Sequence, residues 1–178
     1  MVFLIITVMI SLLIRTNVAV AAFVPTGSML PTIQLQDRII VEKITYKVQD
    51  ITRGDIVVFH PPEYVQAKGP DWVKRVIGLP GERVEIKNGM VYINDYPLEE
   101  DYILEKPTYD YGPIVVPAGT YFVLGDNRNE SRDSHEWGVL AKENIIGRVV
   151  YTIWPIDHMG AMTQAQSLTA DPIITTGN

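Results

Sequence analysis

The chain contains no cysteine. That excludes disulfides, thiolate nucleophiles and every sulfur-based metal site, and it leaves the redox compartment open. Histidine is scarce: His60, His135 and His158 lie far apart without helical i,i+4 spacing, so neither a zinc site nor any other metal or cofactor is expected. Basic charge is not in excess either. Lys and Arg number 15 against 21 Asp and Glu, a formal net charge of −6, and with no basic stripe this argues against nucleic acid as a partner. What is present is 178 residues, 47% of them apolar. That suffices for one ordinary domain with a real core and excludes a disordered chain.

One long apolar run exists, residues 1–24, interrupted chiefly by Ser11 and by Arg15-Thr16-Asn17. A membrane-spanning helix needs about 20 residues. Met1 to Ile14 is too short, so a transmembrane anchor would occupy residues 1–23 and include Arg15, whose long side chain can snorkel to the interface. A cleavable signal peptide is the alternative, with Ala19-Val20-Ala21 as its cleavage site, although the basic leading region is missing. The lone Arg15 votes weakly for a cytoplasmic domain.

From Asp37 onward the apolar period is two. Residues 38–44, 55–59, 72–77, 83–87, 90–93, 120–124 and 145–154 read as strands. Asn88-Gly89 supplies the two positive-φ positions of a type I′ hairpin turn. The proline-rich stretches 61–70 and 97–117 read as loops or edge segments. No amphipathic helix longer than a turn or two is expected beyond the anchor. The fold class is therefore mainly β, an antiparallel sheet or barrel over residues 24–158 behind a single N-terminal transmembrane helix. Residues 159–178 are small, polar and aperiodic, and read as a disordered tail.

Three polar groups stand out against this background. Pro25-Thr26-Gly27-Ser28-Met29 places a hydroxyl on a constrained segment just past the anchor; a linker would look the same. Lys74 sits in the strand Trp72-Val73-Lys74-Arg75-Val76-Ile77, where an exposed lysine would guard a sheet edge. A free lysine, pKa about 10.4, is neutral in only about one molecule in 2,500 at pH 7, so a catalytic role requires burial, which lowers that pKa. The third group is the loop from Leu124 to Gly138. Its Asp133 and His135 also raise a Ser28-His135-Asp133 triad, which spacing cannot exclude, although Ser28 lacks a G-x-S-x-G elbow.

Taken in order, PTGSMLPT, DRIIVEK, KRVIGLPGE and LGDNRNESRDS behind one apolar run resemble type I signal peptidases, the membrane-bound serine–lysine proteases. The likeness covers roughly residues 14–157, and the Ser-His-x-Trp-Gly after the last block is most similar to the cyanobacterial and plastid branch. The resemblance implies Ser28 as nucleophile and Lys74 as general base, with His135 supporting the loop. It implies an oxyanion hole made by the Ser28 N–H and the Thr26 hydroxyl, Ser131 bonded to the lysine, and Asp133 and Arg128 bracing the loop behind. Val24, Met29, Ile39 and Val73 match the substrate pockets, which take alanine-like residues. The implied substrates are preproteins bearing signal peptides, cut after Ala-x-Ala-like sites. They would bind as an extended strand against the backbone of residues 24–27 and of the strand before Lys74. The enzyme would sit in the plasma or thylakoid bilayer with its catalytic domain on the periplasmic or lumenal side, against the Arg15 vote. Two alternatives remain at this stage. One is a self-cleaving repressor-type Ser–Lys protease; the other is a non-catalytic, membrane-tethered β-barrel binding module, in which Lys74 would be exposed and far from Ser28.

Overall fold

The computed structural model describes residues 18–44, 49–65 and 69–162, together with Phe3, Ile6, Thr7 and Met9. The strands form where apolar side chains alternate. They are β1 (Ala19–Phe23), β2 (Arg38–Glu42), β3 (Ile56–Phe59), β4 (Trp72–Gly78), β5 (Arg83–Lys87), β6 (Met90–Ile93), β7 (Tyr96–Pro97), β8 (Tyr111–Val115), β9 (Thr120–Leu124), β10 (Leu140–Ala141), β11 (Ile145–Trp154) and β12 (Gly160–Ala161). An eight-stranded antiparallel sheet runs β1-β2-β11-β3-β4-β9-β10, with β12 added to β11. A smaller sheet runs β7-β6-β5-β8.

All of β3 is buried because the large sheet is covered on both faces there. Ile56 and Val58 enter one core cluster with Val24, Met29, Ile33 and Ile39, while Val57 and Phe59 enter another with Val76, Tyr121 and Val123. A third cluster joins the two sheets, with Val84, Ile86, Val91 and Ile93 packed on Ile77, Phe122 and Leu124. The hairpin of β5 and β6 turns at Asn88 and Gly89, with φ of 52° and 73°, the left-handed pair of a type I′ turn. Pro113 lies in β8 at the edge of the small sheet, where a missing N–H costs no ladder bond.

Two expected boundaries are corrected. The anchor assigned to residues 1–23 cannot be helical to its end: Ala19–Phe23 is a strand paired antiparallel with β2, from Ala19↔Glu42 to Phe23↔Arg38. Val20 and Ala22 pack inward on the core, so sheet pairing and period-two burial override the apolar composition. Of the rest of that segment, only Val18 and helical positions 3, 6, 7 and 9 are among the described residues. No helix among the described residues is long and apolar enough to cross a membrane. The tail assigned to 159–178 also begins too early. Gly160 pairs with Thr152 and Ala161 with Tyr151, and Met162 donates its N–H to the Val150 carbonyl at 3.0 Å. Residues 163–178 lie outside the described residues.

Candidate active site

The residues between β1 and β2 fold into a turn that is tied at its base. Val24 N–H donates to the Asp37 carbonyl at 3.0 Å and Gln36 N–H to the Val24 carbonyl at 2.8 Å. Met29 and Ile33, both wholly buried, peg the turn into the core and are bonded to each other, Ile33 N–H to Met29 carbonyl, at 2.9 Å. Ser28 is thereby held on a fixed backbone, 8% exposed. This is no slack linker.

Lys74 comes from β4. Its strand neighbours Trp72 and Val76 and its cross-strand partner Val57 pack in one core cluster, so the lysine is carried into the interior and is 4% exposed. Its Nζ lies 2.7 Å from Ser28 Oγ and 3.1 Å from the Val73 carbonyl. Burial penalises the ammonium and brings the pKa down from 10.5 to about 8, while the negative charges of Asp133 and Asp126 resist the shift. A lysine so placed can take a proton from the serine near neutral pH.

The polar loop closes the site from behind. β9 meets β4 only from Leu124↔Arg75 onward, and beyond Leu124 the chain turns across the back of the serine. Gly125 is its pivot. A Cβ there would collide with Ser131 Oγ and lie 2.5 Å from the Ser28 carbonyl oxygen, so only glycine allows this approach. Asp133 Oδ2 accepts from the Gly125 N–H at 2.9 Å, and Arg128 Nε donates to the Gly125 carbonyl at 2.9 Å. The two expected bracing residues thus clamp opposite sides of one residue and do not pair with each other. Arg128 instead forms a two-bond fork with Glu100, at 2.9 and 2.6 Å.

Ser131 departs from expectation. Its Oγ is buried without a hydrogen-bond partner, so the bond to Lys74 is not formed; the lysine's bonds go to Ser28 and to the Val73 carbonyl. The triad is not assembled either. His135 Nδ1 is 2.7 Å from Asp133 Oδ1, and its ring stacks on Tyr109 at 4.0 Å, which makes it a support of the loop.

Sequence reasoning passed over the layer beneath. Arg75 is wholly buried and grips Asp126 through Nε at 2.8 Å and Nη2 at 2.6 Å. It also donates to the Gly54 carbonyl at 3.0 Å and lies over the Tyr102 ring at 4.0 Å. Thr32 donates to Asp126 at 2.5 Å, tying the serine turn to β4 and to the loop. Asp126 and Asn127 were visible in the LGDN block. Glu100, in an irregular stretch, carried no signal at all.

A cleft of about 730 Å³ opens in front of the pair. Val24, Ile39 and Val73 line it beside Thr26, Ser28 and Lys74, and Asp71, Glu130 and Arg132 add charge. Met29 is a correction: it lies behind the cleft, 0% exposed, in the core with Ile33. The backbone of Val24 is likewise already bonded to Asp37 and Gln36. Among the described residues, strand edges without a neighbouring strand lie elsewhere, on the outer edge of β1 and on β4 before Arg75, where the Val73 carbonyl accepts from Lys74 Nζ.

Comparisons with known proteins assign the chain to a family. The family model described as signal peptidase, peptidase S26, aligns with residues 1–154. The chain belongs to that family. It is 51% identical over 160 residues to a signal peptidase I of Leptolyngbya laminosa, covering 88% of this chain and 79% of that protein. It is 45% identical over 177 residues to a probable signal peptidase I-1 of Synechocystis, covering 97% and 90%. Thylakoidal processing peptidase 1 of Arabidopsis thaliana is 38% identical over 174 residues, covering 93% of this chain and 51% of that protein. These three relatives are of the cyanobacterial and plastid branch of the family.

Proposed function

We propose that this protein is a membrane-anchored serine endopeptidase that removes N-terminal signal peptides from exported preproteins. Ser28 is the nucleophile and Lys74 the general base. The observation that carries the reading is the 2.7 Å separation of Ser28 Oγ and Lys74 Nζ in a buried setting. Neutral Lys74 takes the serine proton as Oγ attacks the carbonyl carbon of the scissile bond. The Ser28 N–H and the Thr26 hydroxyl meet the negative charge that develops on the carbonyl oxygen. The lysine then gives its proton to the departing amine, and the mature protein leaves. Lys74 next takes a proton from water as the water oxygen attacks the acyl carbon, then returns that proton to Ser28 Oγ as the ester bond breaks, freeing the signal peptide and regenerating the serine.

The substrate lies extended in the cleft, its backbone paired with β1 and with β4 before Arg75. The cleft's small apolar lining around Val24, Ile39 and Val73 suits alanine-like side chains at the first and third positions before the cut. The apolar segment before β1 anchors the enzyme in the plasma or thylakoid bilayer, with the catalytic domain on the periplasmic or lumenal face. The binding-module alternative needs Lys74 exposed and remote from Ser28, and the observed contact is the opposite. The repressor-type alternative lost its ground with the family assignment.

The test is processing of a preprotein carrying an Ala-x-Ala site in lipid vesicles. Ser28→Ala and Lys74→Ala should each abolish cleavage while leaving the fold and substrate binding intact. Full activity in either variant rejects the pair.

A further inference from the structure

We infer that Asn127 is a positioning residue for the oxyanion hole, holding the Gly27–Ser28 peptide so that its N–H points at the developing charge. The inference rests on the reading of Ser28 as nucleophile. Asn127 contacts the serine turn twice. Its backbone N–H donates to the Ser28 carbonyl at 3.1 Å, and its side-chain Nδ2 donates to the Gly27 carbonyl at 3.2 Å. The Gly27 carbonyl and the Ser28 N–H are two ends of one planar peptide unit. Fixing the oxygen therefore fixes the direction of the N–H, and a hydrogen bond to the oxygen polarises the same unit toward donating.

The local role open to Asn127 is left unused. It immediately precedes the 3₁₀ turn Arg128–Glu130, where an asparagine side chain would ordinarily cap the helix, yet it makes no capping bond. It reaches instead across 100 positions of sequence to Gly27. The neighbouring groups leave this job to it. Asp126 is committed to Arg75 and Thr32, and Arg128 to Glu100 and Gly125. The Gly27 carbonyl also accepts from Leu30 N–H at 3.2 Å, a bond internal to the turn. Asn127 is what ties this peptide to the rigid block behind it.

The experiment compares Asn127→Ala and Asn127→Leu with the parent, using the full chain in lipid vesicles. Alanine keeps the backbone bond to Ser28; leucine also keeps the branched shape and lacks only the polar ends. Measured are kcat and KM on a preprotein, the pH midpoint of kcat, and affinities for two peptides of one sequence. One peptide ends in an aldehyde, whose adduct with Ser28 places an oxygen in the oxyanion hole, and the other in a carboxamide. In both variants kcat should fall by about 10–100-fold, less than loss of a direct oxyanion donor, with KM within about two-fold of the parent. The aldehyde's advantage over the carboxamide should shrink by the same factor, and the pH midpoint should not move. Unchanged kcat, an equal loss of affinity for both peptides, or rescue by leucine overturns the inference. A shifted pH midpoint overturns it too, since the effect would then pass through Lys74. Ser28→Ala measured alongside separates the two failures: cleavage surviving in that variant rejects the underlying mechanism, whatever Asn127 does.

Discussion

Lys74 sets the conditions under which the site can work. Only the neutral amine accepts the serine proton, so kcat should rise with pH and level off above a midpoint near 8, the value burial imposes. Asp133 is the largest opposing influence, because its charge favours the ammonium. Asp133→Asn should therefore move the midpoint to lower pH while lowering the plateau through the weakened hold on Gly125. A midpoint that stays put or rises would show that Asp133 does not act on Lys74 electrostatically. Thr26 makes a second residue-level test. Thr26→Ser keeps the hydroxyl and should retain most activity. Thr26→Val keeps the shape without the donor and should lower kcat by about 100–1,000-fold with KM little changed. Equal kinetics in the two would remove Thr26 from the oxyanion hole.

The serine turn, β4 and the loop after β9 come from separate parts of the chain, and a buried polar layer locks them together. Arg75 and Asp126 carry most of it, at 1% and 0% side-chain exposure. Removing one member leaves the other as an uncompensated buried charge, which costs about 3–5 kcal/mol. Asp126→Asn should accordingly lower stability by that order in chemical denaturation and reduce activity with it, although neither residue touches the substrate. Loss of activity without loss of stability would point instead to a direct role in the chemistry. Strands β4 and β9 of this assembly were legible one by one, as β-branched and aromatic runs ending at turn signals. The polar layer was not. Arg75 is simply the residue after Lys74 in the strand, and nothing in a single strand shows that Asp126 will meet it.

Across the whole molecule the buried Lys74 is a burden on stability. It titrates at 10.5 when unfolded and at about 8 when folded. Between these values the unfolded chain holds the extra proton, so folding stability rises as pH climbs through the window; below it the full cost applies, about 3 kcal/mol. Lys74→Met should therefore unfold at higher denaturant than the parent at pH 7, with the gain shrinking toward pH 10. A gain independent of pH would mean that packing, not charge burial, was relieved.

Much of this protein was readable from its residues in order. The mainly β fold, the hairpin at Asn88-Gly89 and the likeness to serine–lysine signal peptidases all rest on local period, turn chemistry and motifs, which survive in one dimension. Tertiary structure alone decided that residues 19–23 are a strand, because pairing with β2 is a long-range contact that apolar composition cannot announce. It also placed Met29 behind the cleft, separated His135 from Ser28, left the Ser131 hydroxyl unbonded, and joined Asn127 to Gly27. Each of these depends on which groups meet across the fold, and hydrogen bonds and burial are properties of that meeting. The same holds for the basicity of Lys74: its residue type was plain from the start, but only the surrounding protein lowers its pKa.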